Sequence, residues 1–249
     1  MRFRFKREFH EIKVLLRSVP APIVTAFAVS VIMMNLLANK SVALPVDWLA
    51  LDCGILVSWA SFLSMDIITK HFGPKAATEI SIVAVFVNLL CCGFFYLGGA
   101  LPGMWGEAYV DEGAALINQA LNNTVSGTWY VLFGSTVAFI LSAVVNNSLN
   151  HGIGRLFHLK PDGFGMYALR TYVSTAVGQF CDNMVFALIV SHFFFGWTLL
   201  QCVTCSVTGM IVELVLEVAF SPIGYRVCRR WKADGVGREY FALKGGHNQ

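Results

Sequence analysis

The sequence predicts an all-α membrane protein, a bundle of six transmembrane helices with both termini in the cytoplasm. Composition is the first observation: the 249 residues are 56% hydrophobic and only 13% charged, about half the charge of an ordinary soluble domain. The second is a set of long apolar segments, each near the length of about 20 residues that crosses the hydrocarbon core. The third is a one-sided distribution of Lys and Arg among the loops that join these segments.

Six apolar segments are long enough to span a bilayer. Lipid offers no hydrogen-bond partner to the backbone, so only helices and closed barrels can cross it. Strands of a barrel would be shorter and would alternate polar with apolar residues, and these segments do neither. We therefore predict helices. The segments are Val19–Ala38, Trp48–Ile68, Ala76–Leu97, Thr128–Asn150, Thr171–Phe195 and Trp197–Phe220.

The positions of the basic residues predict the topology. With the N-terminus inside, all of the 18 Lys and Arg residues except Lys40 fall in one of the four inner segments. Because positive charge concentrates on the cytoplasmic side of membrane proteins, this distribution supports six spans with both ends cytoplasmic. The chain then divides into a basic cytoplasmic segment at residues 1–18, a transmembrane domain at residues 19–220 and a basic cytoplasmic tail at residues 221–249.

The first 17 residues alternate basic with apolar side chains, a pattern that fits two structures. Such a segment can serve only as a topology signal for the span that follows it. The spacing of Phe5, Phe9, Ile12 and Leu16 is also close to the helical period, and a basic amphipathic helix of this kind lies in the membrane interface. The sequence favours the topology signal and leaves the interfacial helix open.

Acidic side chains inside the predicted spans are the strongest indication of a functional site. A carboxylate in lipid is costly and usually faces a cavity or a partner. Asp182 lies midway along the fifth span, where that cost is greatest. Glu213 and Glu217 are one helical turn apart in the sixth span and project from one face, either as a functional pair or as a solvated helix end. Asp66 lies near the inner end of the second span, where an interfacial role is as reasonable as a functional one.

Neutral polar residues extend this set. Gln179 precedes Asp182 by one turn, and Asn146 belongs to a group of Asn residues near the end of the fourth span. Each can line a pocket or hydrogen-bond between helices, which is the commoner role of a single amide. Gly-rich phosphate loops, G-x-S-x-G and H-E-x-x-H are absent from the sequence. The templates of soluble enzymes therefore fail, and we expect no metal or cofactor.

Three sequence motifs resemble the VUT family of queuosine precursor transporters. The stretch SWASFLSMDIITKHFGPKAA is similar to the signature of the second span, with Asp66, Lys70, Phe72 and Gly73 in the matching places. GQFCDNMVFALIV resembles the second signature through Gly178, Gln179, Asp182 and Phe186. ELVLEVAFSPIGY looks like the final span, where Glu217 and Pro222 fit an E-x-x-x-x-P pattern. The resemblance extends from Trp48 to Tyr225.

The resemblance implies a multi-pass protein of the bacterial inner membrane that imports 7-deazaguanines such as preQ0 and preQ1 and is not an enzyme. The implied partners are this small-molecule substrate and the lipid bilayer, with no nucleic acid; homo-oligomerisation stays open. Asp182, Gln179, Asp66, Glu217, Asn146 and Glu213 become the expected substrate-binding residues. A carboxylate can accept both N–H groups of a guanine-like edge, and Trp59 or Phe186 could stack against its flat face.

Two positions depart from the family pattern. The fourth span of the family usually ends in Q-x-x-D, where this chain has Ala143 and Asn146. Many members carry a Lys four residues before the final Glu, where this chain has Glu213. Both changes alter the charge that lines the expected site.

Two other functions remain open at this point. One is a substrate-binding membrane subunit of an energy-coupling-factor-like vitamin uptake system, which would need an ATPase on another chain because this sequence has no ATPase motif. The other is a membrane enzyme that acts on lipid. It would need catalytic groups at the interface, and the loop with His151 and His158 is the candidate for them.

Overall fold

The structure, a computed structural model, describes residues 2–42, 44–106, 113–156 and 164–245. Most of these residues are helical, and the two short strands β1 (Ser41–Val42) and β2 (Leu51–Asp52) pair antiparallel. The helices are α1 (Arg2–Ser18), α2 (Ala21–Leu37), α3 (Ile55–Phe72), α4 (Pro74–Ala100), α5 (Ala114–Ser126), α6 (Thr128–Leu156), α7 (Phe164–Phe186), a π-helix (Ala187–His192), α8 (Phe193–Phe195), α9 (Leu199–Asp234) and α10 (Arg238–Gly245).

The helices confirm an all-α membrane protein. By length and composition, four helical segments in the described ranges can cross a bilayer: Pro74–Ala100, Ala114–Ser142, Thr175–Phe195 and Leu199–Leu216. The pair formed by Glu8–Ser18 and Ala21–Leu37, bent by 104°, is a fifth if it counts as one span. The number of six spans and the cytoplasmic position of both termini stay predictions.

The second predicted span starts later than the sequence indicated. Its first helical residue is Ile55, and Asp52 lies before it at the end of β2. The backbone N–H of Gly54 donates to Asp52 Oδ1 at 2.7 Å, a local bond by which Asp shapes turns. Hydrophobicity places residues 48–54 in the span, but this turn and the strand pairing exclude them from the helix.

The boundary between α3 and α4 follows directly from the sequence. Gly73 has a φ of 92°, a left-handed conformation that glycine adopts without the steric penalty of a Cβ atom. Pro74 takes the first position of α4, where its missing N–H removes no helical hydrogen bond. The Gly-Pro pair therefore ends one helix and starts the next.

The chain divides into two compact units. Unit 1 comprises Met1–Met33, Val57–Leu90 and Leu216–Gln249, and unit 2 comprises Met34–Leu56 and Cys91–Val215. The core of unit 1 contains the buried side chains of Leu15, Ile68, Phe72, Ile80 and Tyr240. The division at residues 18 and 220 that topology indicates is a different one and stays a prediction.

Unit 2 is built around the packed helices α6 and α7, with the β1–β2 hairpin against α9. Gln201 Nε2 donates to the carbonyl oxygen of Asp47 at 2.9 Å, and Thr204 Oγ1 donates to that of Trp48 at 2.8 Å. These side chains satisfy irregular backbone, which a membrane protein tolerates where protein groups can bond to it. The hairpin thus has polar anchors on α9.

Candidate functional site

Helix α7 places three polar side chains close together within unit 2. Gln179, Asp182 and Asn183 have the spacing i, i+3 and i+4, which puts Asp182 and Asn183 on the helical surface one turn from Gln179. We call these three residues, with Ser142 of α6 and Glu213 of α9, the α7 polar cluster.

Asp182 contacts α6. Ser142 Oγ donates to Asp182 Oδ1 at 3.1 Å, and the carboxylate is half-buried. The same hydroxyl also lies 3.1 Å from the carbonyl oxygen of Phe139. Because a charged acceptor makes the stronger hydrogen bond, we assign the one hydroxyl hydrogen to the carboxylate of Asp182. Oδ2 of Asp182 has no hydrogen-bond donor among the residues that the structure describes, which leaves an acceptor on the same side chain.

Asn183 connects α7 to α9. Its Nδ2 donates to Glu213 Oε2 at 3.2 Å, and Glu213 is buried, with 6% of its surface exposed. Gly209 makes room for this contact, because a Cβ atom there would lie 2.9 Å from Asn183 Nδ2. Gly209 and Glu213 are four residues apart and therefore lie along one face of α9. Because residue 209 has no Cβ atom, the Asn183 side-chain amide can approach the Glu213 carboxylate.

Gln179 carries a buried polar atom without a partner. The residue is 7% exposed, and its Oε1 accepts no hydrogen bond from the described part of the chain. An unsatisfied buried acceptor costs about 1–3 kcal/mol, and native proteins carry few of them. A ligand that donates an N–H group to this atom would remove that cost.

A π-helix follows the cluster directly. Residues Ala187–His192 continue α7, and π-helical turns are often found at functional sites. His192 Nδ1 lies 2.6 Å from the carbonyl oxygen of Trp197, so that nitrogen carries the hydrogen of this bond. Gly134 of α6 packs against the side chain of Val190, which would collide with any Cβ atom at residue 134. The hydrophobic pattern of the sequence does not distinguish a π-helix from an α-helix, so it could not predict this element.

The remaining predicted site residues have different surroundings. Asp66 belongs to unit 1, where its Oδ2 pairs with Lys70 Nζ at 2.9 Å; the two side chains are 34% and 52% exposed. A pair this accessible is typical of a helix surface. Glu217 and Asn146 lie in helical backbone, but their side chains are outside the described residues, as are those of His151 and His158.

The two aromatic residues that could stack against the base, Trp59 and Phe186, lie in different units. Trp59, in unit 1, stacks on Phe220 with ring centroids 4.5 Å apart and an interplanar angle of 17°, so one of its faces is occupied. Phe186, in unit 2, follows Asp182 by four residues and packs against the small core of Ala38, Val131 and Val190. Phe186 is therefore the aromatic ring that shares a helix with the α7 polar cluster.

The α7 polar cluster and its immediate contacts include residues that the motifs alone did not select. Ser142 and Gly209 carry no signal in an isolated sequence, because Ser and Gly are frequent in membrane helices. Only the packing of α6 and α9 against α7 assigns them a role. In the described part of the chain, no group of three or more His, Cys, Asp or Glu residues could hold a metal ion.

Comparison with known protein families identifies a match over most of the chain. Residues 52–227 match a family model described as "Putative vitamin uptake transporter". The matched range covers more than half of the chain and includes every residue of the α7 polar cluster. Searches of curated proteins and of solved structures gave no match.

Proposed function

Since the chain belongs to the vitamin uptake transporter family, we propose that it imports a queuosine precursor, a 7-deazaguanine such as preQ0 or preQ1, across the inner membrane of a bacterium. The family makes the chain a membrane transporter rather than an enzyme. The substrate, the membrane and the residues that bind the base are our proposal, and the α7 polar cluster is the observation that carries it.

The cluster offers acceptors where a guanine-like edge offers donors. Gln179 Oε1 is buried without a donor, and Asp182 Oδ1 is already oriented by Ser142. The two side chains are one helical turn apart, about 5–6 Å between Cβ atoms. A ring N–H and an exocyclic amino group are adjacent donors on such a base, so one can bond to the carboxylate and the other to the carboxylate or the amide.

The apolar surroundings strengthen this recognition. Phe186 lies one turn beyond Asp182 and presents an aromatic ring on the same helix, and a flat base binds well to sites with largely apolar walls and a few placed polar groups. Placing a carboxylate inside a membrane helix costs free energy. Bonds to the two donors of a substrate would offset that cost and so account for a carboxylate within an apolar segment.

Uptake by the purified chain tests the proposal. Proteoliposomes that contain only this protein would be assayed with labelled preQ0 and preQ1, for wild type, Asp182→Asn and Asp182→Ala. We expect a loss of about tenfold or more in both variants, because a hydrogen bond to a charged group contributes about 1.5–3 kcal/mol. Asp234→Asn, which alters an exposed carboxylate of α9, is the matched control and keeps wild-type uptake.

The assay also separates the proposed function from its alternative. Uptake without any other protein excludes dependence on an ATPase partner, as an energy-coupling-factor system would require. Wild-type uptake in both Asp182 variants would remove this residue from the binding site. Failure of the folded wild-type chain to take up either compound would refute import by this chain alone, and failure of the purified protein to bind either compound would refute the proposed substrate.

A further inference from the structure

Helix α1 packs against the rest of unit 1 through one face. Its opposite face is not covered by any of the described residues. Val14 and Leu15 are buried in the core with Phe72 and Tyr240. On the same face, Glu11 is 6% exposed and its Oε2 accepts a hydrogen bond from Lys75 Nζ at 2.8 Å. These contacts fix which side of α1 faces the protein.

The outward face combines large apolar side chains with positive charge. Phe9 is 66% exposed and Leu16 is 39% exposed, and both Lys13 and Arg17 are exposed beside them. Phe9, Lys13 and Leu16 have the spacing i, i+4 and i+7, so they form one stripe along the helix. Large apolar side chains beside cations on one helix face are typical of a basic amphipathic helix at a membrane surface.

The direction of α1 suits a membrane surface. Helix α2 is apolar and has 17 residues, a length of about 25 Å at 1.5 Å per residue, and α1 is bent from it by 104°. Pro20 stands at this break, and proline disfavours helical conformation in the residue before it. With α2 across the bilayer, α1 lies close to the plane of the membrane surface.

We propose that the outward face of α1 binds the headgroups of anionic phospholipids, with Phe9 and Leu16 in the boundary between headgroups and acyl chains. Lys13 and Arg17 supply charge complementary to these headgroups, and four further basic residues occur in the first seven positions of the sequence. Basic amphipathic helices bind membranes by this combination of apolar burial and charge attraction. The α1 surface is independent of the α7 polar cluster, which lies in the other unit.

Hydrogen–deuterium exchange of the full chain tests this binding. Wild-type protein would be reconstituted as single copies in nanodiscs of phosphatidylcholine alone, or of phosphatidylcholine and phosphatidylglycerol in equal amounts. We expect the amides of residues 8–18 to exchange more slowly in the anionic discs, by about fivefold for each cation that contacts a headgroup. Amides of residues 76–90 in α4 report whether the fold is intact.

Variants separate charge from apolar burial. Lys13→Gln/Arg17→Gln is expected to reduce the difference between the two lipids by about fivefold for each cation removed, whereas Arg229→Gln/Lys232→Gln, which removes the same charge from exposed positions of α9, keeps it. Phe9→Ser/Leu16→Ser is expected to speed exchange of residues 8–18 in both discs.

Several results would overturn the proposal. They are equal exchange of wild type in the two lipids, an equal loss of the lipid effect in the α9 control, or unchanged exchange in Phe9→Ser/Leu16→Ser. A parallel reconstitution with two copies per disc is the control for self-association: protection found only there would overturn the proposal and assign this face to a second copy of the chain. None of these outcomes depends on transport, so the proposed function can fail without affecting this test.

Discussion

Substituting alanine for Gly209 is the most direct test of how α7 and α9 fit together. The added Cβ atom would lie 2.9 Å from Asn183 Nδ2 and 3.4 Å from its Cγ. The first distance is shorter than a real Cβ atom accepts, so the Asn183 side chain must move. The movement disrupts its 3.2 Å hydrogen bond to the buried Glu213.

Two opposite effects set the size of the change. Alanine in place of glycine within a helix stabilises by about 1 kcal/mol. Overpacking costs about 1–3 kcal/mol, and loss of a hydrogen bond to a charged group costs about 1.5–3 kcal/mol. The sum predicts that Gly209→Ala destabilises the protein by about 1.5–5 kcal/mol. For a chain of this size, that lowers the melting temperature by roughly 3–20 °C.

Gly224 of the same helix supplies the matched control. A Cβ atom there would lie 3.4 Å from Ile67 Cγ1 and from Leu63 Cδ1, and such contacts at flexible side-chain ends can be absorbed by small shifts. Gly224→Ala should therefore keep or raise the melting temperature, since only the helix-propensity effect remains.

Thermal unfolding in detergent measures both variants, and a double-mutant cycle isolates the contact. In an Asn183→Ala background the clash is absent, so Gly209→Ala should become neutral or stabilising. If Gly209→Ala is as stable as Gly224→Ala, or if its cost persists without the Asn183 side chain, the reasoning about this helix contact is refuted.

Two further predictions concern individual hydrogen bonds. Ser142→Ala removes the donor to Asp182 at 3.1 Å and should lower precursor uptake by about tenfold, with Ser142→Thr restoring most of it; equal uptake in the alanine and threonine variants would contradict a role for the hydroxyl. Lys75→Ala leaves Glu11, whose side chain is 7% exposed, without this cation and should destabilise the chain by about 1–3 kcal/mol in thermal unfolding. Lys70→Ala breaks an exposed pair instead and should cost less than about 1 kcal/mol; equal costs would show that burial of Glu11 is unimportant.

The sequence was informative wherever one residue type has one physical consequence. Apolar length predicted membrane helices, and the gap predicted between the second and third spans contains the helix boundary at Gly73-Pro74. The cost of an acid in lipid selected Asp182 before any contact was known. The start of the second span was misplaced because hydrophobicity does not detect the hairpin that ends at Asp52.

Composition and the spacing of charges by themselves determined that this protein crosses a membrane and that α7 carries its most unusual carboxylate. Those properties depend on transfer free energies, which belong to each residue regardless of its neighbours. Only the tertiary structure decided that Ser142 orients Asp182, that Gly209 admits Asn183 to Glu213, and that Gln179 keeps an unsatisfied oxygen. Such contacts join residues distant in sequence, and they exist only because α6 and α9 pack against α7 at particular faces.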